Sequence, residues 1–599
     1  MCLTNFLFKS HRRASGAGGA STFDAFQRAE ENWSKLKASK PFTYDSSLSE
    51  DMSKVGQPPV FVSDDISSGS PQAWKKLRAS QGKKLDFDAV VCGGTLGIFF
   101  ATALALKGNK VCVLEAGELR GREQEWNISM EELQELVRIG VLSDDDVEAS
   151  VTTEFPGCRA GFKNQEVTSL SGGYQDNGIG YQCFTPGVLN IGVSPTILLE
   201  RVTKRFIYLG GQIKENTPLE GVVVSEKVGS ALDLGAKKQP ITSRLVIDCM
   251  GNASPISKQQ RYGKKPDGVC AVVGSCAGGF APETNTVGDI IYTNSEIKDC
   301  GQNGKLQYFW EAFPVGIGKN GMEPGTSDVK TTYMFTYFDA EDYRPSLETL
   351  MEDYFDMLPT YQRSIVNAED DLDFKRVLFA FFPTYQDSPL KPQWSRVLAV
   401  GDASGIQSPL SFGGFGSLTR HLDRITTAIS EALEDDLLTQ DDLAEINAYQ
   451  PNLSAAWMFQ KAMSIRMGQD TDSKFINRLL ATNFEVMNDK GPSVMKPFLQ
   501  DVVQFDGLAS SLSGSFAKDP SFMPDIIKHV GIKTLAQWVC HVAMMGVYAF
   551  LHAVVTPLLS PFVRMFKNAR ERFQWRRRMD SWKYGSGSDF IFPPDTRAL

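Results

Sequence analysis

Residues 86–115 constrain this chain more tightly than any other stretch. Residues 86–92 (DFDAVVC) form a short apolar run ending on Gly93-Gly94, and 95–106 are apolar and alanine-rich. Gly108 stops that segment, and 110–114 (KVCVL) make a second apolar run closed by Glu115. By period and punctuation this is strand, helix, strand. The string Cys92-Gly93-Gly94-Thr95-Leu96-Gly97 falls at the first turn, with Glu115 eighteen residues past Gly97. Glycines there let the backbone turn tightly and approach a pyrophosphate, while the helix start offers free N–H groups and partial positive charge. An acid ending the second strand accepts hydrogen bonds from ribose hydroxyls. Gly93, Gly94, Gly97 and Glu115 therefore point to a dinucleotide-binding unit. Cys92 stands where the first glycine of G-x-G-x-x-G belongs, so the register of strand, helix, strand and acid carries the reading. Glu115 also argues against a 2′-phosphate, since two anions would repel.

A second signal lies three hundred residues later. Residues 396–405 (RVLAVGDASG) read as a strand running into Gly401-Asp402, followed by 408–417 (SPLSFGGFGS), a glycine-rich turn opening a helix. This resembles the flavin-binding end of the glutathione-reductase-like flavoproteins. The resemblance implies that Asp402 holds the ribityl hydroxyls of FAD and that the stretch with Gly401, Pro409, Gly413 and Gly414 faces the flavin. Joined to the N-terminal unit, it favours FAD over NAD. A third stretch, 245–254 (LVIDCMGNAS), is similar to the middle strand and turn of the same fold. Flavin monooxygenases carry Asp-Gly at that turn; here Met250 takes the place of the acid and Asp248 sits two residues earlier. That is more like geranylgeranyl reductases and lycopene cyclases.

Around these signals the chain divides readily. Its 599 residues are about four times a typical single-domain length. Residues 1–83 read as a transit-like and linker segment with one helix near 22–38, where Phe23, Phe26, Trp33 and Leu36 recur at helical spacing. The expected order is then an FAD-binding domain, first part 84–265, and an antiparallel substrate-binding sheet, 266–390. A return segment of the FAD domain (391–430), a helical, membrane-associating region (431–565) and a basic tail (566–599) follow. The fold class expected is α/β: a Rossmann-like FAD domain, an antiparallel-sheet substrate domain and C-terminal helices. Five histidines without ligand spacing, and ten cysteines without a C-x-x-C pair, give no sign of a metal site. The net charge of −9 argues against nucleic acid as a partner.

Longer strings carry a closer resemblance. CGGTLGIFFATALALKG (92–108), GREQEWNIS (121–129), LNIGVSP (189–195), YFWEAFP (308–314), GDASGIQSPLSFGGFGSLTRHL (401–422), YQPNLSAAWMFQKAMS (449–464) and MKPFLQDVVQF (495–505) together resemble the CruA/CruP-type lycopene cyclase family. The likeness covers roughly 85–560; residues 171–183 (SGGYQDNGIGYQC) depart from it. It implies an FAD-dependent enzyme acting on lycopene or a related carotenoid, by redox-neutral end-group cyclisation or by reduction of a carotenoid epoxide. NADPH is then a possible electron donor. Cyclisation needs an acid kept protonated at neutral pH, which an apolar pocket provides. Glu311, among aromatics in 308–314, is the first candidate; strand alternation leaves its face open, toward the pocket or toward solvent. Glu125 is the second, with Glu123 beside it, and Arg122 is read as a phosphate anchor. His421 follows the flavin-facing turn, where a lone helical histidine is as a rule structural.

The ends of the chain add two expectations. Residues 1–23 carry Lys9, Arg12 and Arg13 and no carboxylate, a composition shared by organelle transit peptides and disordered starts; the family resemblance implies a plastid. Residues 534–563 hold no Asp, Glu, Lys or Arg, and 564–583 then hold eight basic residues with Trp575 and Trp582 interleaved. That order suits a surface anchor over 535–583 on anionic lipid, ahead of a buried hairpin and of a full span. The main expectation is a carotenoid-modifying FAD enzyme of plastid membranes. A flavin monooxygenase or prenyl reductase on another isoprenoid, and a non-enzymatic scaffold derived from a flavoprotein, are its rivals.

Overall fold

A computed structural model describes residues 22–38, 60–163, 180–318, 321–362, 365, 367–406 and 413–590. One sheet gathers five parallel strands in the order Val397–Ala399, Ile241–Asp248, Phe87–Cys92, Val111–Leu114, Gln212–Lys214. Numbered along the chain, that order is 5-4-1-2-3, the doubly wound arrangement whose switch point lies between strands 1 and 4. Helix Gly94–Leu106 is apolar on all sides and buried on all sides, between the sheet and the helices Pro195–Tyr208 and Gly414–Glu434. Pro195–Tyr208 has the punctuation its sequence promised. Ser194 caps it by accepting from the Ile197 N–H, Pro195 occupies its first position, and Gly210 leaves it at φ +86°.

The second sheet has seven strands, in the order Asp373–Thr384, Gly268–Gly278, Lys330–Phe338, Phe309–Pro314, Gly288–Thr293, Gly157–Lys163, Gly180–Pro186. It is antiparallel except between Gly288–Thr293 and Gly157–Lys163. Both of its faces are covered. Phe309 and Phe313 pack with Phe475, Phe484 and Leu499 of the C-terminal helices. Trp310, on the opposite face, packs with helices Thr22–Ala38 and Leu347–Tyr361. Trp33 is wholly buried there and donates Nε1–H to the Pro345 carbonyl at 2.8 Å.

Three expectations are corrected. Residues 60–83 are not linker: Val62–Ser63 extends the first sheet, and helix Pro71–Ala79 buries Trp74 and Leu77 against it. The stretch 84–265 does not belong to the first sheet alone, because Gly157–Lys163 and Gly180–Pro186 are strands of the second. The basic segment is not a free tail as far as residue 590. Helix Ala569–Gly585 docks on the return helix Gly414–Glu434, with Arg576 and Arg577 on Glu431 and Arg570 on Asp442. Arg420 pairs with Asp589 alongside.

From Ile532 to Val563 the helical segment runs unbroken for 32 residues, long and apolar enough to cross a membrane, with 6 % of its most apolar window buried. Its inner face packs on Ala455 and Phe505 through Trp538, Met545 and Gly546. Its outer face exposes Ile532, Val539, Val547, Phe550, Val554 and Leu558, a stripe at helical spacing. The buried-hairpin alternative does not describe it.

Candidate functional site

The carboxyl ends of strands 1 and 4 open on a cavity of about 490 Å³. Gly93, Gly94 and Glu115 form one side, Cys249 to Gly251 another, and Gly401, Asp402, Gly414 and Ser417 a third. Stretches three hundred residues apart thus meet where the doubly wound topology places ligands. Gly93 takes φ +95°, and a Cβ on it would stand 2.6 Å from the Cys249 carbonyl oxygen. Gly97 lies behind the wall, its missing side chain letting the helix approach Val91 within 2.7 Å of where a Cβ would be. The Glu115 carboxylate accepts from the Gly94 N–H at 2.7 Å and the Gly117 N–H at 3.0 Å, which fixes it beside the turn.

Two carboxyls ride above their usual range here. Burial pushes Asp402 up to about 6, and no hydrogen bond reaches its carboxyl among the described residues. Asp248 is also raised to about 6 by burial, against the lowering effect of the Ser254 hydroxyl, the Met250 N–H at 3.0 Å and the Ser257 hydroxyl at 3.4 Å. Asp248 is therefore the internal brace of its turn, while Asp402 faces the cavity. His421 lines the same cavity and is buried; its Nδ1 meets Arg424 at 3.4 Å and its Nε2 is without a partner among the described residues. Burial, then Arg420 and Arg424, hold its pKa well below the ordinary range, so the imidazole stays neutral.

Several expected residues stand elsewhere. Arg122 is exposed and outside the cavity wall, so the phosphate-anchor reading has no geometry behind it. Glu125 takes hydrogen bonds from the Thr152 and Thr153 hydroxyls, which tie it to the strand Val151–Glu154. Burial raises its pKa, yet it lines no cavity described here and braces one strand against its neighbour. Glu123 pairs with Arg120 at 3.6 Å and Arg376 at 3.8 Å. Gly413 is the residue before the return helix, and Pro409 lies outside the described residues.

Glu311 is 2 % exposed, on the sheet face turned toward the C-terminal helices. Alternation had left a solvated face open; with both faces covered there is none. Its Oε1 is buried without a partner among the described residues, and burial, helped by Asp501, raises its pKa well above the carboxylate range. Tyr333 is its cross-strand neighbour. Glu311 is not in the wall of the dinucleotide cavity. Sequence reasoning missed Thr217 and Leu219, which close the cavity from a loop, and Pro255, which opens the short helix Pro255–Gln260 beside it. It also missed Glu132, whose capping box with Ser129 sets its carboxylate beside Gly416 in the first turn of the return helix. The S-x-x-E pattern at 129–132 was the available signal.

No protein-family profile and no curated protein matches the chain. Solved structures do. The halogenase PltM, in complex with ethyl mercury and mercury, aligns at 13 % identity over 85 % of this chain and 98 % of its own, with a TM-score of 0.51. A variant of that halogenase in complex with FAD aligns at 13 % identity over 82 % and 99 %, with a TM-score of 0.50. A geranylgeranyl bacteriochlorophyll reductase-like protein from Thermoplasma acidophilum aligns at 12 % over 74 % and 98 %, with a TM-score of 0.48. The chain shares the fold of the halogenase PltM, a mixed α/β architecture with a helical C-terminal region.

Proposed function

We propose that this protein binds FAD in the 490 Å³ cavity and works as an oxidoreductase-type flavoenzyme on an apolar, isoprenoid-class substrate drawn from a membrane. The convergence of Gly93, Glu115, Gly401 and Asp402 on that one cavity carries the reading. The residues present fit the cofactor. The cradle at Gly93 has no room for a Cβ, and the Asp402 carboxyl, without internal partners among the described residues, is free to accept from ribityl hydroxyls. Glu115, held by the Gly94 N–H, keeps acceptor capacity for ribose hydroxyls, and the first turns of the helices Gly94–Leu106 and Gly414–Glu434 favour anionic or electron-rich groups. Bound FAD would supply electron transfer, with NADPH as the donor in the reductase and monooxygenase readings. A flavin absorbance spectrum on the purified chain tests this first: no FAD in the native protein and none taken up on reconstitution defeats it. NADPH oxidation that depends on an added isoprenoid is the expected second result.

Glu311 favours a second reading, redox-neutral cyclisation of a carotenoid end group such as that of lycopene. Its buried, protonated carboxyl would give a proton to a terminal double bond. Internal attack on the resulting carbocation closes the ring, and loss of a ring proton to the carboxylate restores the acid. Product analysis with lycopene and with a β-carotene epoxide separates the readings. A cyclic product without net NADPH consumption favours cyclisation, and NADPH-dependent loss of the epoxide oxygen favours reduction.

Membrane attachment and import into a plastid belong to the same proposal. The exposed stripe from Ile532 to Leu558 supports attachment, each large apolar side chain transferred from water contributing about 1.5–3 kcal/mol. The basic segment supports it less than its composition suggested, because Arg570, Arg576 and Arg577 are neutralised within the protein. Flotation of the chain with liposomes, lost in V547S/F550S, is the expected result. Delivery of a reporter to plastids by residues 1–59 checks the import reading.

A further inference from the structure

A second cavity, of about 220 Å³, lies among the C-terminal helices, away from the dinucleotide site. Helices Pro451–Ala462, Phe475–Lys490 and Phe505–Lys518 wall it, and Leu535, Trp538 and Val539 close it from the long apolar helix. No charged side chain and no histidine lines it. Its polar side chains are mostly spoken for. Ser515 donates to Asn483 at 2.9 Å, Asn483 to the Leu479 carbonyl at 2.7 Å, and Trp538 to the Ala455 carbonyl at 3.0 Å. Gln504 is turned to the Gly587 and Phe590 carbonyls, and Ser511 Oγ is buried without a partner among the described residues. Four methionines, Met458, Met463, Met487 and Met523, are set in the wall and adapt their shape to what they touch.

Two features show where this space leads. Val539 belongs both to the wall and to the exposed stripe, with 53 % of its surface exposed, so one helix separates the cavity from the outside. At the inner end stands Ile291, whose φ of +48° is a conformation a β-branched residue rarely adopts. It sits at the irregularity in strand Gly288–Thr293, where the pairing with Phe309–Pro314 slips between Asp289 and Tyr292, opposite Glu311. The strained residue is thus the floor of the cavity, and the loop carrying Asp501 lies between wall residues Phe498 and Val502.

We propose that this cavity is a binding site for one uncharged hydrocarbon chain, entering past Leu535 and Val539 from the exposed apolar helix and ending on Ile291 at the sheet face that carries Glu311. A wall without charge excludes a carboxylate or phosphate headgroup. An apolar cavity of about 150 Å³ already takes up benzene, so this space is large enough to hold part of a chain. The site rests on the apolar-substrate reading but not on bound flavin, so the two fail separately.

The test uses the full chain and the methyl ester of parinaric acid, a polyene whose absorption overlaps tryptophan emission. Saturable energy transfer at one ester per chain is expected, with the free acid bound about tenfold more weakly or worse. Ala462→Phe fills the cavity and should weaken the ester about tenfold or more, by the usual discrimination of apolar pockets. Ser511→Leu, read in the same way, stands in if Ala462→Phe does not fold. V547S/F550S should leave ester binding unchanged. Ester binding of native affinity in folded Ala462→Phe or Ser511→Leu overturns the proposal. So does loss of ester binding in V547S/F550S, which would put the probe on the outer stripe, and so does absence of a saturable site. Flavin content measured on the same samples reports independently on the dinucleotide cavity.

Discussion

Two cavities of this protein are walled in opposite ways. The dinucleotide cavity is made largely of backbone: glycine turns, the first turns of two helices and the ends of parallel strands, with Glu115 and Asp402 as its acids. The helical cavity is made of side chains from segments that are each unremarkable alone, and its polar side chains are mostly taken up by backbone carbonyls or by each other. A backbone site tolerates few residue types at each position, so it is written as a motif. A side-chain site accepts any apolar residue of suitable volume, and only the packing of helices makes it a site. Substitution should therefore act sharply in the first and gradually in the second.

The largest effect is expected at Gly93. Alanine there adds a Cβ against the Cys249 carbonyl and strains a left-handed backbone, for a loss of about 2–4 kcal/mol and of bound flavin. Denaturant titration and flavin absorbance check both, and native values would break the contrast. Leu480→Ala, in the helical wall, should cost about 2–3 kcal/mol, near the low end for such truncations because a void already adjoins it. Flavin content should not change. Asp402→Asn should weaken FAD about 10–100-fold by calorimetry, the loss of hydrogen bonds to a charged acceptor, with stability nearly unaffected. Native affinity should also fall as pH drops through about 6, where Asp402 protonates, and the variant should not show that fall.

Glu311→Gln sharpens the comparison through pH. Burial raises the folded-state pKa of Glu311, so the folded protein holds a proton that the unfolded chain releases in the ordinary carboxylate range. Its contribution is fully present below that range and is lost as pH rises through the folded value. The variant should flatten this part of the stability–pH curve and gain over the native chain at higher pH; an unchanged curve would mean that Glu311 is not buried as an acid. The smallest effect belongs to Arg576→Ala. Its partner Glu431 is also held by Arg577 and the pair is partly exposed, so the cost should stay below about 1 kcal/mol in thermal unfolding.

The segments with their own punctuation were legible. The helix expected near 22–38 is Thr22–Ala38, and the strand–helix–strand of 86–114 is Phe87–Cys92, Gly94–Leu106 and Val111–Leu114. Residues 60–83 misled because serine, glycine and lysine mark loops on average, while Trp74 and Leu77 decide the burial of one short helix. Arg122 and Glu125 misled because closeness to a strand end along the chain does not fix where a side chain is held. For His421, a lone helical histidine, only the fold shows that it stands in the cavity wall with a buried Nε2 that has no partner among the described residues.

By itself the sequence determined the dinucleotide turn, since only glycine fits a left-handed residue pressed against the Cys249 carbonyl. It determined the acids at 115 and 402 and the apolar character of 534–563 as well, because local chemistry is enough for each. Only the tertiary structure decided which face Glu311 takes, because alternation along a strand is silent when both faces of its sheet are covered. It also decided that one face of the long helix stays outside, that six C-terminal helices leave an uncharged space between them, and that Arg570, Arg576 and Arg577 after it turn inward to Asp442 and Glu431. Those outcomes depend on contacts between residues far apart in the chain, and no local pattern encodes such contacts.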